Sequence, residues 1–495
     1  MFDFALRWVD DEREGSDLRT LILASTLAEW QAGRVCLGGN RARGLGSFWL
    51  ENLKVHKLQI TAAEHLIEFL LEQTPVRSTG KTFIAHIDGW LETQIEKSKA
   101  NIQSYTEVIA ETRKALKLID KKRDVDKLPD HIPLNRSFAT VILKLAFDGP
   151  FLSNDPIVAA RSGFDHAPML DCIFDKAGNP FISGASLRGA IRSRAEKIAR
   201  TIAMLKLGKI EQANYDEKRQ EFLKSCPSCD PLVNNGDQPL ANCDARWRKH
   251  DADGTRDSGE TVTTFVETEH LCLSCRLFGS TRLGSRLRVS DATWVGKEPK
   301  ADSWKIQDFL AIDRFIGGGL DGAKFDAAPL MDPEFTFSVT LQNPEAWELG
   351  WMALVLRDLC QGEVTIGFGA AKGYGRAKGD VVEWQIGHVR KDDFPADYST
   401  LKSEILAAIE PASEGLFQVY SGTRGAGDAH WITQLDAWIA EFDKKVKSYT
   451  ATKPVEGNNA FDEEAPARPV PFDADTFLTD DGALFKLYGL PRIEE

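Results

Sequence analysis

From Pro180 to Arg192 the chain passes from a strand to a helix, and this transition restricts the fold more than any other segment. It reads Pro180-Phe181-Ile182-Ser183-Gly184-Ala185-Ser186-Leu187-Arg188-Gly189-Ala190-Ile191-Arg192. An apolar step meets a Gly/Ser turn, and the helix then opens with Arg188 and Arg192 at i and i+4, on one face. The first amides of a helix have no intrahelical acceptor and favour anions. Ser186, Arg188 and Arg192 therefore make a candidate phosphate seat.

The surrounding pattern orders the rest of the domain. Phe138–Phe147 alternates and is rich in β-branched residues, which predicts a strand. A helix is expected over Ala185–Leu207 and strands near Arg286–Trp294 and Glu334–Gln342. A second helix is expected over Pro344–Gln361, closed by Gly362. A last strand follows the glycine-rich Ile366-Gly367-Phe368-Gly369-Ala370-Ala371-Lys372-Gly373-Tyr374-Gly375-Arg376. The order β-α-β-β-α-β is the ferredoxin-like plan, an α+β fold, and RNA-recognition modules (RRM-like) use a related sheet. The glycine-rich segment has an earlier copy. Residues 23–46 lie on 352–375 without a gap, placing Gly33, Gly38, Gly44 and Gly46 on Gly362, Gly367, Gly373 and Gly375. Such self-similarity predicts a repeated structural unit. The first copy holds only the second half of the unit. A degenerate unit, completion by another chain and the distal part of a longer fusion all fit.

The expected division is a partial unit at 1–58, a helical linker or insertion at 59–135, the complete domain at 136–390, a helical extension at 391–450 and an acidic, proline-rich tail at 451–495. A net charge of −13 argues against nucleic-acid binding only if it is spread evenly. Residues 454–495 carry ten acidic and three basic residues, whereas residues 18–58 carry six basic and two acidic ones. No apolar run approaches the ~18 residues of a membrane span. Met1-Phe2-Asp3-Phe4 lacks the basic start of a secretory signal. Eight cysteines without such a signal imply a reducing compartment such as the cytoplasm, where thiols stay free or bind metal.

Cys226-Pro227-Ser228-Cys229 and Cys272-Leu273-Ser274-Cys275 are two C-x-x-C pairs, and two such pairs close a tetrahedral structural Zn2+ site. The 42 residues between the pairs exceed the usual ribbon loop, so Cys243, His250 or His270 can replace one ligand. The zinc-binding insertion spans 208–276. Cys36, Cys172 and Cys360 read as core thiols.

Three more segments complete the pattern: Cys275-Arg276-Leu277-Phe278-Gly279, Arg286-Leu287-Arg288-Val289-Ser290-Asp291-Ala292, and Asp313-Arg314-Phe315-Ile316-Gly317-Gly318-Gly319 continuing to Lys324-Phe325-Asp326. With the Pro180 turn and the glycine-rich loop, in this order over 136–385, the chain resembles the RAMP superfamily. More narrowly, it resembles the backbone subunits of type III CRISPR effector complexes. The resemblance implies a guide crRNA lying on Ser186, Arg188, Arg192, Gly367, Lys372, Gly373 and Arg376, with Arg41 and Arg43 as counterparts in the first copy. It implies a β-hairpin thumb at 308–330, with Phe315 and Ile316 ahead of three glycines as an apolar wedge that pushes a base out of a duplex and Phe325 closing the hairpin. The partners are then crRNA, target RNA and other effector subunits, with no membrane. Phosphate contacts carry no sequence information, which suits specificity set by a guide.

The resemblance also implies chemistry. In this family an acidic residue between the first strand and first helix cuts target RNA with a divalent ion, here Mg2+ or Mn2+. A loop of about 30 residues, Asp148–Asn179, occupies that place, and long structureless loops are commonly functional. Asp165-His166-Ala167-Pro168-Met169-Leu170-Asp171 fits the family pattern and carries the catalytic role onto Asp165, with Asp155 as second choice. Such a carboxylate can hold a hydrated ion or orient a 2′-hydroxyl. His166 reads as a bystander. A subunit that binds guide without cutting is the alternative, as is a stand-alone guide-processing nuclease, which needs a clear catalytic His.

Overall fold

The structure, a computed structural model, describes residues 16–37, 46, 48–58, 61–65, 67, 84–100, 137–170, 178–210, 212–234, 240–246, 271–281, 283–295, 303–389, 411–423 and 428–450. Arg41, Arg43, Cys172, His250, His270 and the acidic tail lie outside these residues. The chain divides into two units, one of residues 1–39, 46–127 and 411–419, the other of residues 40–45, 128–410 and 420–495. Among the described residues no helix is long and apolar enough to cross a membrane.

In the first unit, α1 (Ser16–Gln31) buries Ala24, Leu27 and Ala28, which the i, i+3, i+4 spacing places on one face. They meet Val55, just ahead of β1 (His56–Leu58), which pairs antiparallel with β2 (Ile84–His86). Trp90, Leu91 and Ile95 of α2 (Trp90–Ala100) close the same core. Residues 84–100, inside the segment expected to be a helical linker or insertion, thus share a core with α1. Past α1, Arg34 donates to both Glu29 oxygens at 3.0 Å and to Glu414 at 3.1 Å. Glu414 belongs to a β-hairpin, Ala412–Glu414 with Phe417–Thr423, inside the segment expected to be helical.

The second unit opens with β3 (Ser137–Phe147), whose alternation buries Leu143, Leu145 and Phe147. The expected loop Asp148–Asn179 contains β4 (Pro150–Phe151) and α3 (Pro156–Ser162). Next come β5 (Phe181–Ile182), α4 (Gly184–Lys206), α5 (Tyr215–Ser225), α6 (Leu273–Phe278), β6 (Leu287–Val289) and β7 (Ala292–Trp294). They are followed by β8 (Gln307–Ile312), β9 (Gly319–Ala327), β10 (Leu330–Met331), β11 (Glu334–Gln342), α7 (Ala346–Cys360), β12 (Ala377–His388) and α8 (Asp428–Ser448).

The main sheet runs β12-β3-β11-β7-β5, with β6 also on β11, and these pairings are antiparallel. Counting β6 and β7 as one interrupted strand gives β-α-β-β-α-β, as the sequence predicts. Helices α4 and α7 supply the core against the sheet. Trp351 of α7 is fully buried, donates from Nε1 to the Ala195 carbonyl of α4 at 2.9 Å, and stacks on Phe442 of α8 at 5.1 Å. Gly350 is required there, since a Cβ would stand 2.0 Å from the Trp438 carbonyl oxygen.

Candidate functional site

β8 and β9 form the expected thumb. At its tip Asp313 Oδ1 accepts from the amides of Phe315 at 2.7 Å and Ile316 at 3.3 Å, and this tight turn throws both side chains outward. Phe315 is 99% exposed and Ile316 77%. Phe325 is not with them. It lies at the hairpin base, stacked on Phe309 at 4.8 Å and edge-on to His166 at 5.7 Å. Phe368 and Tyr374 of the glycine-rich loop join this cluster. The Lys372 ammonium caps it, 5.7, 5.4 and 5.8 Å from the centroids of Phe309, Phe325 and Phe368, in cation–π geometry. Phe325 thus anchors the hairpin base among aromatic neighbours, and Phe315 and Ile316 stand out at the tip.

The loop holding Asp165 runs along the same base. The Asp165 amide donates to Asp326 Oδ1 at 2.8 Å, and the Asp326 amide donates to Asp165 Oδ2 at 2.9 Å. The His166 amide donates to the Asp326 carbonyl at 3.2 Å, and the Ala328 amide to the His166 carbonyl at 3.0 Å. Asp165 is exposed, and its Oδ1 takes no bond among the described residues. Asp155 stands differently. It is the N-cap of α3, and its Oδ1 accepts from the amides of Ile157 at 2.8 Å and Val158 at 3.3 Å, ahead of Pro156 at the first helical position. Its carboxylate is committed to that helix start.

In the glycine-rich loop, two glycines admit the protein's own backbone. A Cβ at Gly367 would meet the Leu152 carbonyl oxygen at 2.5 Å, and one at Gly375 would meet the Ile366 carbonyl oxygen at 2.0 Å. Gly373 has open space where a Cβ would stand, and Lys372 and Arg376 beside it are exposed. Gly373, Lys372 and Arg376 are thus the loop positions open to a ligand.

The start of α4 is built inward. The Gly184 amide donates to Asp291 Oδ1 at 2.6 Å, and the Ser186 amide to Ser183 Oγ at 3.3 Å. An internal carboxylate therefore occupies part of the expected anion seat, while the Ser186 side chain stays exposed. Arg188 donates to the Phe278 carbonyl of α6. Arg192 donates to Glu196 at 2.8 Å and lies 4.0 Å from Cys275 Sγ, and Arg200 donates to the Cys229 carbonyl at 2.8 Å. Burial pulls the Arg192 guanidinium down, but Glu196 and the neighbouring thiols outweigh it and its pKa is raised. The four-residue spacing continues through Glu196 and Arg200, so this whole face of α4 turns to the cysteines. Arg188 and Arg192 brace the interior rather than form an open phosphate clamp.

The Sγ atoms of Cys229, Cys243, Cys272 and Cys275 all lie within 4.8 Å of one another, and all four residues are buried. Cys226 is not among them. It caps α5 with its thiol 3.2 Å from the Ser228 carbonyl, packed in the main core with Phe222 and Leu223. Cys243 takes its place. The Cys272 amide donates to Cys243 Sγ, and the Cys229 and Cys275 amides donate to Cys272 Sγ, each at 3.4 Å. Arg246 donates to Cys243 Sγ at 3.0 Å. Bonds from Cys229 and Cys272 hold the Cys243 thiol well below its ordinary range against the opposing effect of burial, with Arg246 adding to them. Four sulfurs so placed fit one tetrahedral metal ion.

Sequence reasoning left Asp326, Asp291 and Arg246 without roles. Asp326 and Asp291 lie in quoted motifs, where an acid within a strand or before one is the available signal. Nothing local marks Arg246. A comparison with curated proteins finds no match. The family model described as the RAMP superfamily matches residues 161–378, from the end of α3 through the thumb to the start of β12. That segment carries both central helices, the hairpin and the glycine-rich loop, and it is over this segment that the chain is similar to the RAMP superfamily.

Proposed function

We propose that this chain is a guide-RNA-binding backbone subunit of a cytoplasmic type III CRISPR effector complex, and that Asp165, with Mg2+ or Mn2+, cuts target RNA. The observation that carries this reading is the attachment of the Asp165 loop to the strand that also bears the exposed thumb tip. The family match supports a CRISPR-associated RNA-binding role. Phe315 and Ile316 displace a base, and Asp165 Oδ1 stands open to an ion or a 2′-hydroxyl. Ser186, Gly373, Lys372 and Arg376 meet phosphates, and other subunits of the complex flank the chain.

The four clustered thiols hold a structural Zn2+. Four thiolates around one Zn2+ leave two negative charges, and Arg192 and Arg246 beside them offset both. A closed site has no position for a reacting water, so this ion contributes folding energy.

The first unit contains part of a second RAMP fold. α1 ends at Gln31 and α7 at Cys360, the offset of the sequence repeat. Gly33 and Gly362 both have positive φ, 68° and 79°. The Leu37-to-Gly46 backbone bond of 2.8 Å matches the Ile366-to-Gly375 bond of 2.9 Å.

The test is target-RNA cleavage by the complex assembled on guide RNA with Mg2+, comparing wild type with Asp165→Ala. Loss of one or more cuts with target binding intact supports cleavage by this chain. A guide-binding scaffold is the second reading, favoured by the bond that already engages Asp165 Oδ2. An unchanged cut pattern selects it.

A further inference from the structure

We infer that Asp326 is a positioning residue for Asp165, tying the cleavage loop to the thumb so that the cut falls at a fixed distance from the displaced base. This rests on the cleavage reading above. Asp165 and Asp326 bond each other's amides through their side chains, at 2.8 and 2.9 Å. The arrangement is reciprocal, so each residue fixes both the backbone and the carboxylate of the other.

Asp326 is itself held. It pairs with Asp308 in the register of the β8–β9 hairpin, and its neighbour Phe325 is pinned by Phe309, His166 and Lys372. The Asp165 side has less support of its own. Gly163, in the left-handed region at φ 80°, has just ended α3, and residues 160–163 are exposed. The loop therefore takes its position from β9.

Two carboxylates stand close together here, and neither forms an ion pair with Lys or Arg among the described residues. The second amide bond leaves one Asp165 oxygen fixed and directs the other outward. Rotation about the terminal bond of an exposed Asp is otherwise broad. Fixing it removes unproductive orientations, which is how a positioned group accelerates a reaction.

The experiment compares wild type, Asp326→Ala, Asp326→Asn and Asp165→Ala in the guide-loaded complex under single-turnover conditions. The readouts are the maximal cleavage rate, the target concentration at half-maximal rate and the distribution of cut positions. Asp326→Ala removes the acceptor for the Asp165 amide, whereas Asn retains it. The expected result for Asp326→Ala is a maximal rate lowered about fivefold, the weight of one lost hydrogen bond. Its half-maximal target concentration stays unchanged, and its cuts spread to neighbouring phosphodiesters. Asp326→Asn restores most of the rate and the single cut.

Hydrogen exchange at the Asp165 amide gives a second measurement in the chain without RNA, with faster exchange expected in the Ala variant and protection kept in the Asn variant. Wild-type rate and cut position in Asp326→Ala would overturn the inference, as would equal losses in the Ala and Asn variants. Normal cleavage by Asp165→Ala removes the catalytic reading itself and the positioning role with it. Loss in Asp165→Ala with no change in Asp326→Ala sinks the positioning role alone.

Discussion

Glu348 is fully buried at the third position of α7, where Oε2 accepts from the Glu345 amide at 3.0 Å and Oε1 from Arg286. Burial pushes its carboxyl up to about 7, with Arg286 pulling the other way. An acid raised in the folded state ionises first in the unfolded chain, which then binds fewer protons. Stability from this group is thus full at low pH, falls as pH rises toward about 7, and is flat above it. Between about pH 5 and 7 the melting temperature of wild type should fall relative to that of Glu348→Gln, which keeps the capping acceptor without the charge. Parallel thermal melts check this, and superimposable pH profiles would remove the assignment. Sequence reading at this scale goes wrong where one pattern has two uses. Arg188 and Arg192 at i and i+4 share a face whether it meets phosphate or interior, and only Glu196 and Arg200 further along the same stripe tell the two apart. Asp165 and Asp155 are the same residue type, and each lies near a turn. Pro156 directly after Asp155 is the local sign of a helix cap.

Among the elements, the long periodic ones were legible. β3, α4, β11 and α7 fall where alternation, capping and a closing glycine place them. Strand β4, of two residues, and helix α3, of seven, are too short to carry a period, so the segment around them reads as loop. The hairpin at 412–423 is missed because its strands are likewise short, with alternate residues exposed. The β8–β9 hairpin falls where the family resemblance places the thumb. Phe325 closes that hairpin, and the rings of Phe309 and His166 hold it at the base. Phe315 touches little of its own chain, so Phe315→Ala should leave stability within about 0.5 kcal/mol of wild type. Target cleavage should slow by roughly tenfold, since the wedge offsets an unstacking cost of a few kcal/mol. Calorimetry alongside cleavage assays checks both halves, and a normal rate would show that the tip does not act as a wedge.

For the molecule as a whole, four cysteines that sequence leaves far apart come together in a cluster that could hold a metal. The C-x-x-C pairs announce such a site, yet the spacing cannot say which thiol of the first pair faces it, because Cys226 ends a helix pointed at the core. Cys243→Ser should lower bound zinc from about one ion per chain to near none and reduce thermal stability, while Cys226→Ser retains the ion. Metal analysis of the two purified variants decides this, and the reverse outcome would restore Cys226 as ligand. The β-α-β-β-α-β plan, by contrast, was readable from its long elements β3, α4, β11 and α7, while the break between β6 and β7 was not. The cluster has one more consequence. Cys243 and Cys272 are joined through an amide-to-sulfur bond of 3.4 Å, so the chain leaves the domain and returns at nearly the same point. Whatever runs between them enters and exits through a closed clasp, and lengthening it adds only a slowly growing loop entropy. Because the two anchors are pinned this close, a change of chain length between them should leave the register of β6 and β7 unaltered.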